Sequence, residues 1–350
     1  DIYKPRTPVA QIWEQVIADF TAATALPKRS EYSEEDTGRV TSGTAYAMLG
    51  RTYWYNRDFE NAYKMLYVLV EGEQKGEYEL DPDFATQWLN PNSNLRESIF
   101  EIQYVTNGKN WDASTGWNGV WFIPSSDGGY GFHLPTQHLL DAFDPEDPRI
   151  TWTFVRQGDQ FVGNDFVTGD ANYPSRFFDR KHFVPMSETL NAASPVYPQD
   201  VEMTVYVIRY ADVLLMYAEA CLEKGDIVGA RKYLNQVRKR ARESSPLDAK
   251  RVIQKYVPDT KPTSLPDITS DNVAEVRLAI WNERRFEFAC EGIRRMDLMQ
   301  QERYGEIMTA VYSNGYATED VDKGRYYTKE RELFPIPQND IDLSRGALVQ

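Results

Sequence analysis

Apolar positions recur along much of this chain at the three-and-four spacing of an α-helix, and two such stretches repeat one another. Residues 45–69 read AYAMLGRTYWYNRDFENAYKMLYVL and residues 213–237 read VLLMYAEACLEKGDIVGARKYLNQV. Setting Asp58 against Asp226 aligns them without a gap. Gly50 then meets Ala218, Tyr53 meets Cys221, Phe59 meets Ile227, Ala62 meets Ala230 and Leu66 meets Leu234. A small residue on a first helix, then Ala and a large apolar residue on a second, are the positions of a tetratricopeptide-like pair. The small side chains let the two helices approach closely, and Leu66 and Leu234 fall one turn further along the same face. Asn56-Arg57-Asp58 and Lys224-Gly225-Asp226 predict the turns, with each aspartate capping the helix that follows. The pattern therefore predicts a mainly α fold of tetratricopeptide-like helix pairs interrupted by a large insertion.

Other segments follow the same logic. Residues 9–25 predict a helix with Ile12, Val16, Asp19 and Phe20 near one stripe, ending before Pro27. Residues 272–289 predict another, entered through Ser270 or Asp271 as cap. Residues 99–105 (IFEIQYV) alternate as a strand does. The Pro/Ser/Thr/Asp-rich stretch 243–271 reads as a long surface connection. Between 106 and 205 the periodicity is lost, apart from a short helix expected at Pro135–Phe143. So long a loop region is commonly functional, which makes it the expected place for a ligand. The expected organisation is one integrated domain: a helical segment 1–105 with the first pair, a loop-rich ligand-binding insertion 106–205, and the second pair with further helices in 206–350.

Composition narrows the partners. The 350 residues carry 39 basic and 53 acidic side chains, a formal charge of −14 that repels phosphate backbones, so no nucleic-acid partner is expected. No run of ~18 apolar residues is present to form a membrane-spanning helix. Cys221 and Cys290 lie far apart in helical patterns and are expected as buried thiols. Aromatic residues make up 13%, with 8 Trp and 22 Tyr, more than a core requires; rigid rings serve equally as binding platforms.

Three blocks carry a family resemblance. They are GRVTSGTAYAMLGRTYWY (38–55), VIRYADVLLMYAEACLEKGD (207–226) running into ARKYLNQVRKRA (230–241), and VRLAIWNERRFEFACEGIRRMDLMQ (276–300) followed by ELFPIPQNDI (332–341). With FHLPTQHLLDAFDPEDPRI (132–150), they resemble the SusD/RagB family over nearly the whole chain. The resemblance implies a SusD-like α-helical solenoid core and a non-catalytic nutrient-binding protein without cofactors. It implies lipid anchoring at the cell surface of the outer membrane and capture of a glycan, or in some members a peptide. It also implies delivery to a SusC-like TonB-dependent transporter. A signal peptide, a lipidated cysteine and a first set of helices precede the family's equivalent of residues 1–27. The resemblance therefore implies a part of a longer protein, with membrane contact through an anchor outside this sequence.

The densest aromatic stretch is 104–132, with Tyr104, Trp111, Trp117, Trp121, Phe122, Tyr130 and Phe132. Sugar rings stack their C–H faces on aromatic rings, while their hydroxyls need polar partners. We therefore take Trp111, Trp117, Trp121, Tyr130, Asn110, Asp112 and Asn118 as candidate ligand-binding residues. Trp111 and Trp117 lead, being flanked by small or polar residues; Trp121, followed by Phe122 and Ile123, is expected to be partly core. Asp141, Asp144, Glu146 and Asp147 lack calcium-loop spacing and read as a capped turn. The run Glu283, Arg284, Arg285, Glu287, Glu291, Arg294, Arg295 and Asp297 is expected to pair structurally, partly between helices and partly as Glu291 with Arg294 or Arg295. His133 and His138 are poorly spaced for one metal, and neither catalytic nor metal-ligating residues are expected. The alternatives are an α-helical glycoside hydrolase, which needs two carboxylates across a cleft, and a protein-interaction scaffold.

Overall fold

A computed structural model describes residues 4–89, 92–105, 121–122, 130–156, 159, 177–182, 202–247, 264–313 and 327–349. In chain order its elements are α1 (Val9–Ala23), α2 (Ser42–Tyr55), α3 (Phe59–Val70), β1 (Ser98–Ile102), α4 (Gln137–Leu140) and α5 (Ile150–Thr153). There follow β2 (Phe154–Arg156), β3 (Phe177–Asp179), β4 (Val205–Arg209), α6 (Tyr210–Glu223), α7 (Ile227–Arg242) and α8 (Val273–Glu287). Last come α9 (Arg294–Gln300), α10 (Tyr304–Ser313) and α11 (Gln338–Leu343). The fold is mainly α.

Both repeats close as helix pairs, α2 with α3 and α6 with α7. Asp58 accepts from the Asn61 N–H at 3.1 Å, and Asp226 from the Gly229 N–H at 2.8 Å, so each aspartate caps its helix. Arg57 (φ 60) and Gly225 (φ 86) hold the same left-handed place in the two turns. Glycine adopts that conformation freely, whereas a side chain costs roughly 1–2 kcal/mol. Arg57 is held there by Glu302 at 2.9 Å and the Gln300 carbonyl at 3.2 Å. Gly50 sets the α2–α3 spacing, since a methyl group there would lie 2.5 Å from Leu66 Cδ2. Ala62, Leu66, Ala218, Ala230 and Leu234 are fully buried.

The helices pack in succession, α1 on α2, α2 on α3, α3 on α6, α6 on α7, with α8 against both α6 and α7. Tyr63 and Tyr217 stack at 5.0 Å between the pairs, and Tyr233 meets Tyr217 edge-on at 4.9 Å. Surrounded in this way, α6 is buried from Tyr210 to Leu222. The half-buried stripe of α1 is Trp13, Val16, Ile17 and Phe20, one place round from the expected one, and Ile12 and Asp19 are exposed. The large Trp13 ring takes the inward place, at i, i+3, i+4, i+7 spacing. The alternating stretch becomes β1, paired antiparallel with β4, Ser98 opposite Arg209 and Ile102 opposite Val205. A second two-stranded sheet pairs β2 with β3.

Three local expectations are corrected. Asn272, not Ser270 or Asp271, caps α8, accepting from the N–H groups of Ala274 and Glu275; Ser270 instead donates to the Glu275 carboxylate at 2.6 Å. The described ends of 243–271 are not a plain surface connection. Ser244, Leu247, Ser264 and Leu265 are buried, because Ser244 Oγ accepts the Phe84 N–H and the Ser245 carbonyl accepts the Trp152 indole N–H. Cys221 is a buried free thiol as expected, whereas Cys290, also free, is half-buried rather than buried.

The charged run through α8 and the turn that follows it pairs across the fold rather than along one helix. Glu287 receives Arg149 at 2.9 Å, Arg209 at 2.6 Å and Arg240. Glu283 receives Arg149 at 2.7 Å and Arg238 at 2.8 Å. Glu291 bonds Lys181 at 2.6 Å and Arg209 at 2.8 Å, and not Arg294 or Arg295. Glu97, at the foot of β1, joins Arg209 and Arg240, while Asp147 grips Arg149 from the expected turn. Five cations thus face the five anions Glu97, Asp147, Glu283, Glu287 and Glu291. Burial by itself would favour neutral forms. The surrounding arginines instead hold the Glu287 pKa well below the ordinary carboxylate range. The hub ties α7, α8, β1, β4 and the 147–149 turn into one body.

Candidate functional site

β3 emerges next to this hub and continues as Arg180-Lys181-His182. Lys181 is fully buried, its ammonium on Glu291 and, at 2.8 Å, on the Glu287 carbonyl. That anchorage fixes the preceding Asp179, whose Oδ1 accepts the Lys181 N–H at 2.9 Å. Asp179 Oδ2 stands 2.7 Å from His182 Nδ1 and 3.4 Å from His133 Nδ1. Burial would raise the Asp179 pKa, but His182 and His133 pull it well below the usual range. Burial likewise would lower the His182 pKa, and Asp179 reverses this and holds it above its ordinary value.

The Phe122 ring packs on both imidazoles, 5.0 Å from His182 and 5.4 Å from His133. Its neighbour Trp121 takes the opposite role. Trp121, Tyr130 and Phe132 are 39%, 48% and 53% exposed, and all three belong to one cluster. Their centroids are 5.2, 5.6 and 6.0 Å apart, with interplanar angles of 34°, 20° and 14°. Three nearly equal separations make a triangle of near-parallel rings, since a linear column would have one separation twice the others. The Phe132 N–H donates to the Trp121 carbonyl at 2.8 Å and locks the two segments together. Left-handed backbone at Gly131 (φ 62) and His133 (φ 58) brackets Phe132, with Phe132 outward and His133 on Asp179. The aromatic face is thus held from behind by Phe122, His133, Asp179 and His182, and through Lys181 by the ionic hub.

Such a face offers flat apolar area already exposed and ordered. It suits a ligand with C–H faces, such as a sugar ring, and little entropy is lost when rigid rings bind. Of the residues expected at the site, the structure brings Trp121 and Tyr130 together. Trp111, Trp117, Asn110, Asp112 and Asn118 lie outside the described residues. Trp121 is not the partly core residue expected; Phe122 turns inward in its place, because the histidine pair gives that ring its contacts. The sequence reading did not place Phe132 at the site, nor His133, Asp179 and His182 behind it. Gly131 before Phe132 was the one local signal of a sharp bend. No group of three or more His, Cys, Asp or Glu among the described residues is placed to hold a metal ion.

Comparison with known proteins matches the chain to one family. A family model described as the SusD family matches residues 96–350. A SusD-like protein of Bacteroides ovatus is 24% identical over 342 residues, covering 91% of this chain and 57% of its own. A SusD-like carbohydrate-binding protein of Bacteroides fragilis superposes with a TM-score of 0.74 at 22% identity, over 97% of this chain and 71% of that one. Surface glycan-binding protein A of Bacteroides thetaiotaomicron, solved with laminarihexaose, gives a TM-score of 0.69 at 20% identity, over 99% and 71% of the two chains. At these identities the likeness of structures shows the fold. The chain spans about half the length of the curated relatives it matches.

Proposed function

The chain belongs to the SusD family, and from that premise we propose that it captures an oligosaccharide at the cell surface on the face made by Trp121, Tyr130 and Phe132. The observation that carries this reading is the triangle of exposed, near-parallel rings, fixed from behind and open in front. Two of the solved relatives are described as binding carbohydrate or as complexed with laminarihexaose, which supports a glycan as ligand here. Hand-over to a SusC-like TonB-dependent transporter and attachment by a lipid anchor complete the proposal. Among the described residues no helix is long and apolar enough to cross a membrane. We read the role as binding without a chemical step: among the described residues the carboxylate behind the rings is Asp179, buried and engaged by two histidines, not poised across an open cleft.

Retardation on affinity gels containing a panel of polysaccharides, laminarin among them, tests this, with reducing-sugar release followed in parallel. Retardation by at least one glycan, lost in Trp121→Ala and without sugar release, is the expected result. Sugar release would make the chain a hydrolase. Co-purification of the full-length protein with a large outer-membrane barrel in gentle detergent tests the transporter.

A further inference from the structure

A cavity of about 330 Å³ lies on other elements, between the α2–α3 turn, the end of α6, α8 and the end of α9. Gln301 lines it, is 4% exposed, and has no partner on either amide atom. The neighbouring Gln300, 6% exposed, also lines it. Its Oε1 has no partner, and its Nε2 reaches the Trp54 carbonyl only at 3.4 Å. Buried amides without hydrogen bonds are costly in free energy, so three such atoms around one cavity call for something to satisfy them.

The remaining walls define what that is. Arg277 holds Glu223 at 2.8 Å through Nε, and Arg57 holds Glu302 at 2.9 Å. The Trp281 indole donates to Glu219 at 2.8 Å, and its ring is backed by Arg303 at 5.4 Å. Arg57 and Arg277 are matched by Glu302 and Glu223, and the third carboxyl, Glu219, accepts the indole N–H groups of Trp54 and Trp281, so the cavity offers no unpaired cation to select an anion. A primary amide offers a donor and an acceptor side by side, and a hydroxyl can meet either. The volume is at the small end of ligand pockets, which run from roughly 300 to 1,000 Å³. Arg57 and Glu302, on the rim, are both left-handed (φ 60 and 57), an outlier pair of the kind that collects at binding sites.

We propose that this cavity binds a neutral, polyhydroxylated molecule of monosaccharide size, with the Gln301 amide bridging adjacent hydroxyls and Trp281 as its apolar wall. The site is separate from the aromatic face and stands whether or not that face binds glycan. Ligand-observed NMR with glucose, galactose, mannose and myo-inositol, together with thermal melts, tests it on the whole chain. At least one of the four binds the parent and also Trp121→Ala. Gln301→Leu weakens that binding by about tenfold or more and raises the Tm of the unliganded protein, because the unpartnered amide is gone. Should Gln301→Leu not fold, Trp281→Leu, which removes the apolar wall, is read for the same loss. The proposal is overturned if none of the four binds the parent, since water then satisfies the amides. It is equally overturned if the folded variants bind as tightly as the parent.

Discussion

Two populations of aromatic rings occupy this molecule under different constraints. Inside, the buried tryptophans Trp54, Trp88 and Trp152 are each held by a polar handle, a cation, or both. The buried Trp54 indole donates to Glu219 at 2.9 Å and lies under Arg284 at 4.5 Å. Trp152 donates to the Ser245 carbonyl at 2.7 Å beneath Arg180, and Trp88 carries Lys181 at 4.6 Å. Outside, Trp121, Tyr130 and Phe132 pack chiefly on one another. The interior rings hold buried charge in place, while the exterior rings keep area free. A high aromatic content therefore says nothing of role until each ring's partners are known.

The interior should fail first and hardest. Glu287→Ala removes the carboxylate shared by Arg149, Arg209 and Arg240 and leaves three buried cations with a partner fewer. A loss of about 3–5 kcal/mol is expected in denaturant titration. A loss below about 1 kcal/mol would mean that the hub is redundant.

Glu219 sharpens the same side of the comparison through pH. Burial pushes its carboxyl from 4.5 up to about 7, against the opposing pull of the Trp281 N–H and Arg284. The folded state therefore holds this proton more tightly than the unfolded one. The stabilisation is fully present below about pH 4.5 and is lost as pH rises towards 7, in total about 3 kcal/mol. Glu219→Gln should flatten the stability–pH curve by that amount over that window; an unchanged slope would locate the titration elsewhere.

Packing between helices comes next. Ala230→Leu should overpack the α6–α7 contact and cost about 1–3 kcal/mol. Neutrality would show slack in a contact where Ala218, Ala230 and Leu234 are all fully buried. The outer rings should give the smallest stability effect. Trp121→Ala is expected within about 0.5 kcal/mol of the parent, yet to weaken glycan binding about tenfold or more, as loss of a stacking platform does. Calorimetry that finds a large Tm drop and unchanged affinity would move Trp121 to the interior population.

By itself the sequence determined what is local. The repeat, the Asp58 and Asp226 caps, the small residues at 50, 62, 218 and 230, and the alternating strand all rest on contacts within a few residues or on a periodicity. These can be read from spacing. It also marked Trp121 and Tyr130 as ligand candidates, because they lie where periodicity stops, but it set Trp121 partly in the core, and only the structure put that ring outside. Only the tertiary structure decided which charges meet, since Arg149 and Glu287 are 138 residues apart and Arg209 and Glu97 are 112 apart. Helical spacing would pair Glu291 with Arg294 or Arg295, but the chain turns between α8 and α9, with Cys290 (φ 66) and Gly292 (φ 80) left-handed, and Glu291 meets the buried cations Lys181 and Arg209 instead. The same holds at the aromatic face: Phe122 turns in and Trp121 out because β3 brings Asp179 and His182 behind one ring and not the other, a choice that no spacing between 121 and 122 contains.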